Sequence, residues 1–187
     1  MDTKPFDEQD IVQRLHDPAT QRDAFELVVK QYSEQLYWQI RRMVLSHDDA
    51  NDLLQNTFIK AWMHIDSFRG DARLATWLYR IAANECLTFL SKQQNNLSVP
   101  LDDPEAGVVN QLASDPYFNG DETQLLLQKA LKTLPEKQRM VFNLKYFQEM
   151  KYEEISSIVG TSVGALKASY HYAVKKIENF LKNAQSS

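Results

Sequence analysis

Residues 152–177 read YEEISSIVGTSVGALKASYHYAVKKI and carry two helical patterns broken at one glycine. Ile155, Ile158 and Val159 recur at helical spacing and then stop at Gly160. A glycine there can take the left-handed conformation that closes a helix. Ser162 offers a side-chain oxygen to the first N–H groups of the next helix. That helix carries Leu166, Tyr170, Ala173, Val174, Ile177 and Leu181 along one side. Helix, glycine turn, helix is the pattern of the DNA-binding helix-turn-helix. Plain helical bundles contain it too, so the outward face has to discriminate. Outward positions are Ala165, Lys167, Ala168, His171, Tyr172 and Lys175, with Lys176 beside them. Small residues near the start let a helix enter a groove, and donors further along reach bases and phosphates. Glu178 is the single acidic residue after position 160, whereas a merely solvated face mixes in more carboxylates.

The segment before this motif is also helical. Leu126, Leu127, Ala130, Leu131 and Leu134 form a stripe that Pro135 ends or from which it opens the next helix, at the first-turn position proline tolerates. Residues 93–122 differ in kind. They hold three of the six prolines and no lysine or arginine, and read as a linker with at most a short helical turn. Before them lie three more helical stripes. The first runs through Phe25, Val28, Val29, Tyr32, Leu36, Ile40 and Met43. The second, opened by a capping box at Ser46–Asp49, runs through Leu53, Leu54, Phe58, Ala61, Trp62 and Ile65. The third runs through Leu74, Leu78, Ile81, Ala82 and Phe89, with Glu85 as a misfit expected at the margin. The fold class is therefore all-α, with two small helical domains at 1–92 and 123–187 joined by a flexible linker at 93–122.

Charge follows the same division. The 187 residues carry a net charge of −4, which resolves into −3 over 1–92, −6 over 93–122 and +5 over 123–187. A basic end and an acidic tether point to a nucleic-acid partner for the last domain. No apolar run nears the roughly 20 residues of a membrane span, so the chain reads as no membrane protein. The opening MDTKPFDEQD lacks the basic end and apolar core of a signal peptide, so a cytoplasmic location is expected. A single cysteine, Cys86, excludes an internal disulfide framework and a cysteine-based zinc site.

Enzyme classes find little support. There is no phosphate-cradling glycine loop and no dinucleotide fingerprint. His16, His47, His64 and His171 lack metal-ligand spacing, so no catalytic residue, metal or cofactor is expected. Another group stands out instead. Arg73, Trp77, Arg80 and Asn84 are spaced four, three and four, on one helical face, with Phe68 and Arg69 in a glycine-bearing loop just before. Aromatics beside arginines stack and steer unpaired bases. By themselves these residues fit core aromatics with surface arginine pairs at least as well.

Two long stretches resemble a known family. DDANDLLQNTFIKAWMHIDSFRGDARLATWLYRIAANECLTFL is similar to the second conserved region of bacterial extracytoplasmic-function (ECF) sigma factors, and LPEKQRMVFNLKYFQEMKYEEISSIVGTSVGALKASYHYAVKKI to their fourth. The resemblance covers roughly residues 10–92 and 123–182 and implies a dissociable, non-catalytic specificity subunit of RNA polymerase. By resemblance, the helix over 49–62 binds the polymerase β′ clamp helices, through Asp49, Asp52, Leu53, Gln55, Phe58 and Trp62. The segment with Phe68, Arg69, Arg73, Trp77, Arg80 and Asn84 melts the promoter −10 element, with Phe68 and Asn84 at positions that contact a flipped base. Residues 162–176 match the helix that reads the −35 element, through Ser162, Ala165, Lys167, Ala168, His171, Tyr172, Lys175 and Lys176. The last domain as a whole matches the part that docks on the β flap. Many members carry arginine where this chain has Ser169 and Tyr172, so phosphate anchoring shifts here to Lys167, Lys175, Lys176 or neighbouring helices. Residues 1 to about 9 have no match in the family pattern.

The resemblance also implies promoter DNA and an anti-sigma factor as partners, besides core polymerase. Elements about 17 base pairs apart lie roughly 60 Å from each other, and thirty extended residues reach about 100 Å, so the linker spans them with slack. The competing reading is a helix-turn-helix transcriptional regulator whose first half binds an effector.

Overall fold

The computed structural model describes residues 5–44, 46–96 and 122–186. Helices α1 (Glu8–Leu15), α2 (Gln21–Met43), α3 (His47–Met63) and α4 (Leu74–Asn96) build the first unit, with a 3-10 turn at Ile65–Ser67. Helices α5 (Glu122–Lys132), α6 (Glu136–Phe142), α7 (Tyr152–Val159) and α8 (Val163–Gln185) build the second, with a π-helical turn at Asn143–Phe147. All regular structure among the described residues is helical. The expected linker lies outside the described residues from 97 to 121, and α4 runs to Asn96, four residues into the expected linker range.

Local chemistry sets most boundaries. Asp7 accepts from the N–H groups of Gln9 and Asp10 and so starts α1. Ser46 accepts from the N–H of Asp49 at 3.3 Å and starts α3. Pro135 stands immediately before α6. Gly160 ends α7 with φ of +70°, and Ser162 Oγ accepts from Ala165 N at 3.3 Å to open α8. The turn of the helix-turn-helix is thus built from the two residues whose backbone and side-chain chemistry demand it.

The apolar stripes face inward. Val28, Tyr32, Leu36, Ile40 and Met43 of α2 pack with Leu53 and Ala61 of α3 and Leu74, Leu78 and Ala82 of α4. Glu85 sits at the edge of this core and pairs with Lys60 of α3. A separate cluster of Ala130, Leu131, Leu134, Phe142, Ala173 and Ile177 holds α5, α6 and α8 together.

One feature of α4 is not visible in its stripe. Tyr79, Ala83, Cys86 and Leu90 are buried as well. They form a second face, and the second unit covers it. Met140, Val141, Leu144, Met150, Ile155, Ile158 and Leu166 belong to the same buried cluster as the first unit's core. Burying one such side chain contributes about 1.5–3 kcal/mol, so the two units are held by apolar contact. Polar contacts line the seam. The Tyr79 hydroxyl lies 2.7 Å from the Gln148 amide and 3.0 Å from that of Gln35. Gln94 donates to Glu136 at 2.8 Å. The Arg42 guanidinium stacks 3.8 Å from the centre of the Phe147 ring.

Candidate nucleic-acid interface

The second helix of the helix-turn-helix presents a continuous outward face. Leu166, Ala173 and Ile177 bury the opposite side of α8. That burial leaves Ser162, Ala165, Lys167, Ala168, His171, Tyr172, Lys175 and Lys176 exposed. Tyr172 is 60% exposed, an unusual setting for a large aromatic. All eight residues expected to meet the −35 element therefore share one accessible surface.

The segment at 68–84 is less open. Phe68 is only 4% exposed, and its ring lies 4.9 Å from that of Trp77, tilted by 39°. A base reaches Phe68 only if Trp77 or the loop moves. Arg69, Arg73, Arg80 and Asn84 are exposed and Trp77 is half-buried. Asn84 lies two turns, about 10 Å, beyond Trp77 along α4. Phe68 and Trp77 are thus brought together, while Asn84 stands apart from them. Arg73 is occupied: its Nη2 lies 3.0 Å from Glu154 Oε1 on α7, where Thr76 Oγ1 also donates at 3.3 Å. Glu154 also accepts from its own helix's Lys151 N–H at 3.0 Å. Partial burial pushes this carboxyl up, but the Lys151 N–H, Arg73 and Thr76 together hold it below its ordinary value. Nothing in the sequence marks Glu154 and Thr76 as partners of Arg73. An acidic residue at the start of a helix reads as a cap, and a cap is all that its spacing announces.

On α3, Asp52 and Gln55 are exposed, Asp49 and Phe58 half-buried, and Leu53 buried. Trp62 is 40% exposed, with its ring 5.1 Å from Phe25. Ile59 and Met63, four apart and 56% and 71% exposed, extend this surface. Their one mark in the sequence is an apolar pair at helical spacing outside the main stripe.

No group of three or more histidine, cysteine or acidic side chains among the described residues could hold a metal ion. Burial pushes the Cys86 thiol up to about 12, which removes its nucleophilic character. Among the described residues no helix is long and apolar enough to cross a membrane.

Comparison with known proteins identifies both halves of the chain. The family models for Sigma-70 region 2 and Sigma-70 region 4 match residues 28–96 and 124–177. The ECF RNA polymerase sigma-E factor of Escherichia coli K12 is 32% identical over 164 residues, covering 83% of this chain and 85% of that protein. The chain belongs to the ECF sigma factor family. The ECF RNA polymerase sigma factor SigW of Bacillus subtilis is 31% identical over 172 residues, covering 87% of this chain and 91% of its own. Among solved structures, sigma factor RpoE of Bartonella quintana, bound to its anti-sigma factor NepR, superposes with a TM-score of 0.70. It is 26% identical and covers 84% of this chain and 96% of its own. CnrH, in complex with the cytosolic domain of CnrY, shares the fold with a TM-score of 0.68, covering 94% and 97% of the two chains at 20% identity. An ECF sigma factor directs promoter-specific initiation of transcription, and sigma factors are specificity subunits without catalysis. The match of the first half to region 2 favours this reading over a regulator with an effector domain.

Proposed function

We propose that this sigma factor joins core RNA polymerase through α3, reads a −35 element with α8 and opens a −10 element with residues 68–84. It works in the cytoplasm and performs no chemistry of its own. One observation carries the reading: a basic, aromatic-bearing face of α8 is exposed in a chain whose other half carries an arginine and aromatic segment. On α3, Asp49, Asp52 and Gln55, with Leu53, Phe58 and Trp62 behind or beside them, offer the β′ clamp helices a mixed acidic and apolar surface. Complementary charge steers such an encounter and fixes its register. The β flap is the docking site for the second unit.

On α8, Lys167, Lys175 and Lys176 meet phosphates, while His171 and Tyr172 reach base edges or thymine methyls. Ser162 and the small Ala165 and Ala168 let the helix lie close in the groove. On the first unit, Arg69, Arg73 and Arg80 hold the separated strand, and Asn84 both donates to and accepts from an extruded base. Half-buried Trp77 supplies the stacking surface, and Phe68 behind it is reached once the Trp77 ring moves aside. These roles need the seam to part, because Arg73 is held by Glu154 and the two promoter elements lie roughly 60 Å apart. Binding to core supplies the free energy of opening, since core contacts favour the open form. A protein partner that covers the exposed surfaces of the free chain, an anti-sigma factor, completes the scheme.

The test is permanganate footprinting of holoenzyme on a promoter found by mapping its transcript starts. Wild-type chain gives reactive thymines across the −10 element, and Asn84→Ala abolishes them while core binding persists. Normal reactivity in the variant removes the melting role from this segment.

A further inference from the structure

The loop at 68–73 has no regular structure of its own, yet it has to present groups to a moving strand. Its backbone is held from outside by α1 and the turn after it. Glu8 Oε1 accepts from Leu74 N, the first residue of α4, at 2.7 Å. Gly70, with φ of +78°, faces Val12, whose Cγ1 would lie 3.5 Å from an added Cβ. His16 Nε2 lies 2.7 Å from the Phe68 carbonyl oxygen, and its Nδ1 lies 2.7 Å from the Val12 carbonyl oxygen. A neutral imidazole donates to one of these oxygens and a protonated one to both. Further on, Gln21 donates to Asp66 at 3.1 Å and to the Leu15 carbonyl at 2.8 Å.

These contacts are ordered. Glu8, Val12 and His16 are four residues apart, so they share one face, and they meet 74, 70 and 68 in antiparallel sequence. The opposite requirement of α1, burial, is met by Ile11 and Leu15, which lie in the core. The helix therefore packs with one set of residues and grips the loop with another. The grip at Glu8 is chemically apt. A helix N-terminus has N–H groups without internal partners and a partial positive charge, and a carboxylate satisfies both. Residues 8–21 lie before the region 2 match, which begins at residue 28.

We infer that α1 braces the melting loop, with Glu8 and His16 as positioning residues for strand opening. This rests on the assignment of residues 68–84 to the −10 element. A loop whose backbone is held before DNA arrives avoids that part of the ordering cost at the moment of opening, and leaves the Trp77 ring and the Arg73–Glu154 pair as the groups that move.

Holoenzyme made from core polymerase and full-length chain tests this on a promoter mapped with the wild-type protein. Four variants are compared: Glu8→Ala, Glu8→Gln, His16→Ala and Asn84→Ala. Glu8→Ala and His16→Ala should keep core affinity and slow open-complex formation on duplex about ten-fold. A template already unpaired across the −10 element should restore both. Glu8→Gln, which keeps a neutral acceptor of the same length, should recover most of the rate. Amide exchange at Leu74 should rise in Glu8→Ala while that at Leu36 does not, which separates a local release from a damaged fold. If both brace variants open duplex at the wild-type rate while Asn84→Ala is slow, the brace is refuted and the melting assignment stands. Equal slowing on duplex and pre-melted templates also refutes it. Normal opening in Asn84→Ala removes the melting assignment and the brace together.

Discussion

Phe68 and Asn84 share an expected role and sit in opposite surroundings. Phe68 is buried against Trp77, whereas Asn84 is exposed on α4. Truncating a buried phenylalanine costs about 3–5 kcal/mol. Phe68→Ala should therefore lower the unfolding free energy by that amount, and Asn84→Ala should leave it within about 0.5 kcal/mol. Denaturant titration checks both, and a stable Phe68→Ala would show that this ring carries no packing. The spacing in the sequence could place these residues near one another along the chain, but spacing does not report which ring faces the core. Cys86 gives a second handle. Its thiol is pushed up to about 12 by burial, and it lies seven residues from Tyr79, on the face of α4 that the second unit covers. Below that value the thiol stays protonated. The expected outcome is no reaction with a disulfide reagent at pH 8 in the free chain, and a measurable rate once core binding parts the seam. An immediate reaction in the free chain would place Cys86 outside the closed seam.

At the scale of elements, the caps were legible and the irregular turns were not. Ser46, Gly160 and Ser162 announce their roles because a helix end has few chemical solutions. The π-helical turn at Asn143–Phe147 has no such signature, since Leu144 and Phe147 also fit an ordinary helix. Helix α1 escaped for a related reason: eight residues give too short a stripe, and the loop residues it holds lie more than fifty positions away. The outward face of α8, in contrast, was readable in full, because one buried stripe fixes the opposite side. Lys175 and Lys176 belong to that face. If each neutralises one phosphate, replacing both with alanine should weaken binding across sequences and reduce the slope of log affinity against log salt by about 2. Loss of promoter discrimination at an unchanged slope would assign them to base edges instead.

The arrangement of the whole molecule could not be read from sequence, because the seam is made of residues that each unit also uses to fold. Its weak point is cationic. Lys132 donates to the Arg42 carbonyl at 3.5 Å. Burial, then Arg139 and Arg41, hold its ammonium well below the ordinary lysine value. Arg139, itself lowered by burial, keeps its Nε out of water and without an acceptor among the described residues. A lysine depressed in the closed form binds its proton more readily when the seam is open, so its charge opposes closure. The penalty is absent above the ordinary lysine range near 10.4. It grows as pH falls from there and is fully present below the depressed value. Lys132→Met should therefore stabilise the closed chain at pH 7 by about 1–2 kcal/mol, raising Tm by a few °C. The gain should shrink toward pH 10. A constant gain at both pH values would trace it to packing and not to charge.

Whether this chain gives core RNA polymerase its choice of promoter is read from the 5′ ends of the transcripts it starts. Core polymerase is run with and without the chain on the same promoter-bearing DNA. The expected result is a set of starts that appear only when the chain is present, each preceded by two short shared elements at one fixed spacing. Identical starts with and without the chain, or new starts that share no such pair of elements, would contradict it.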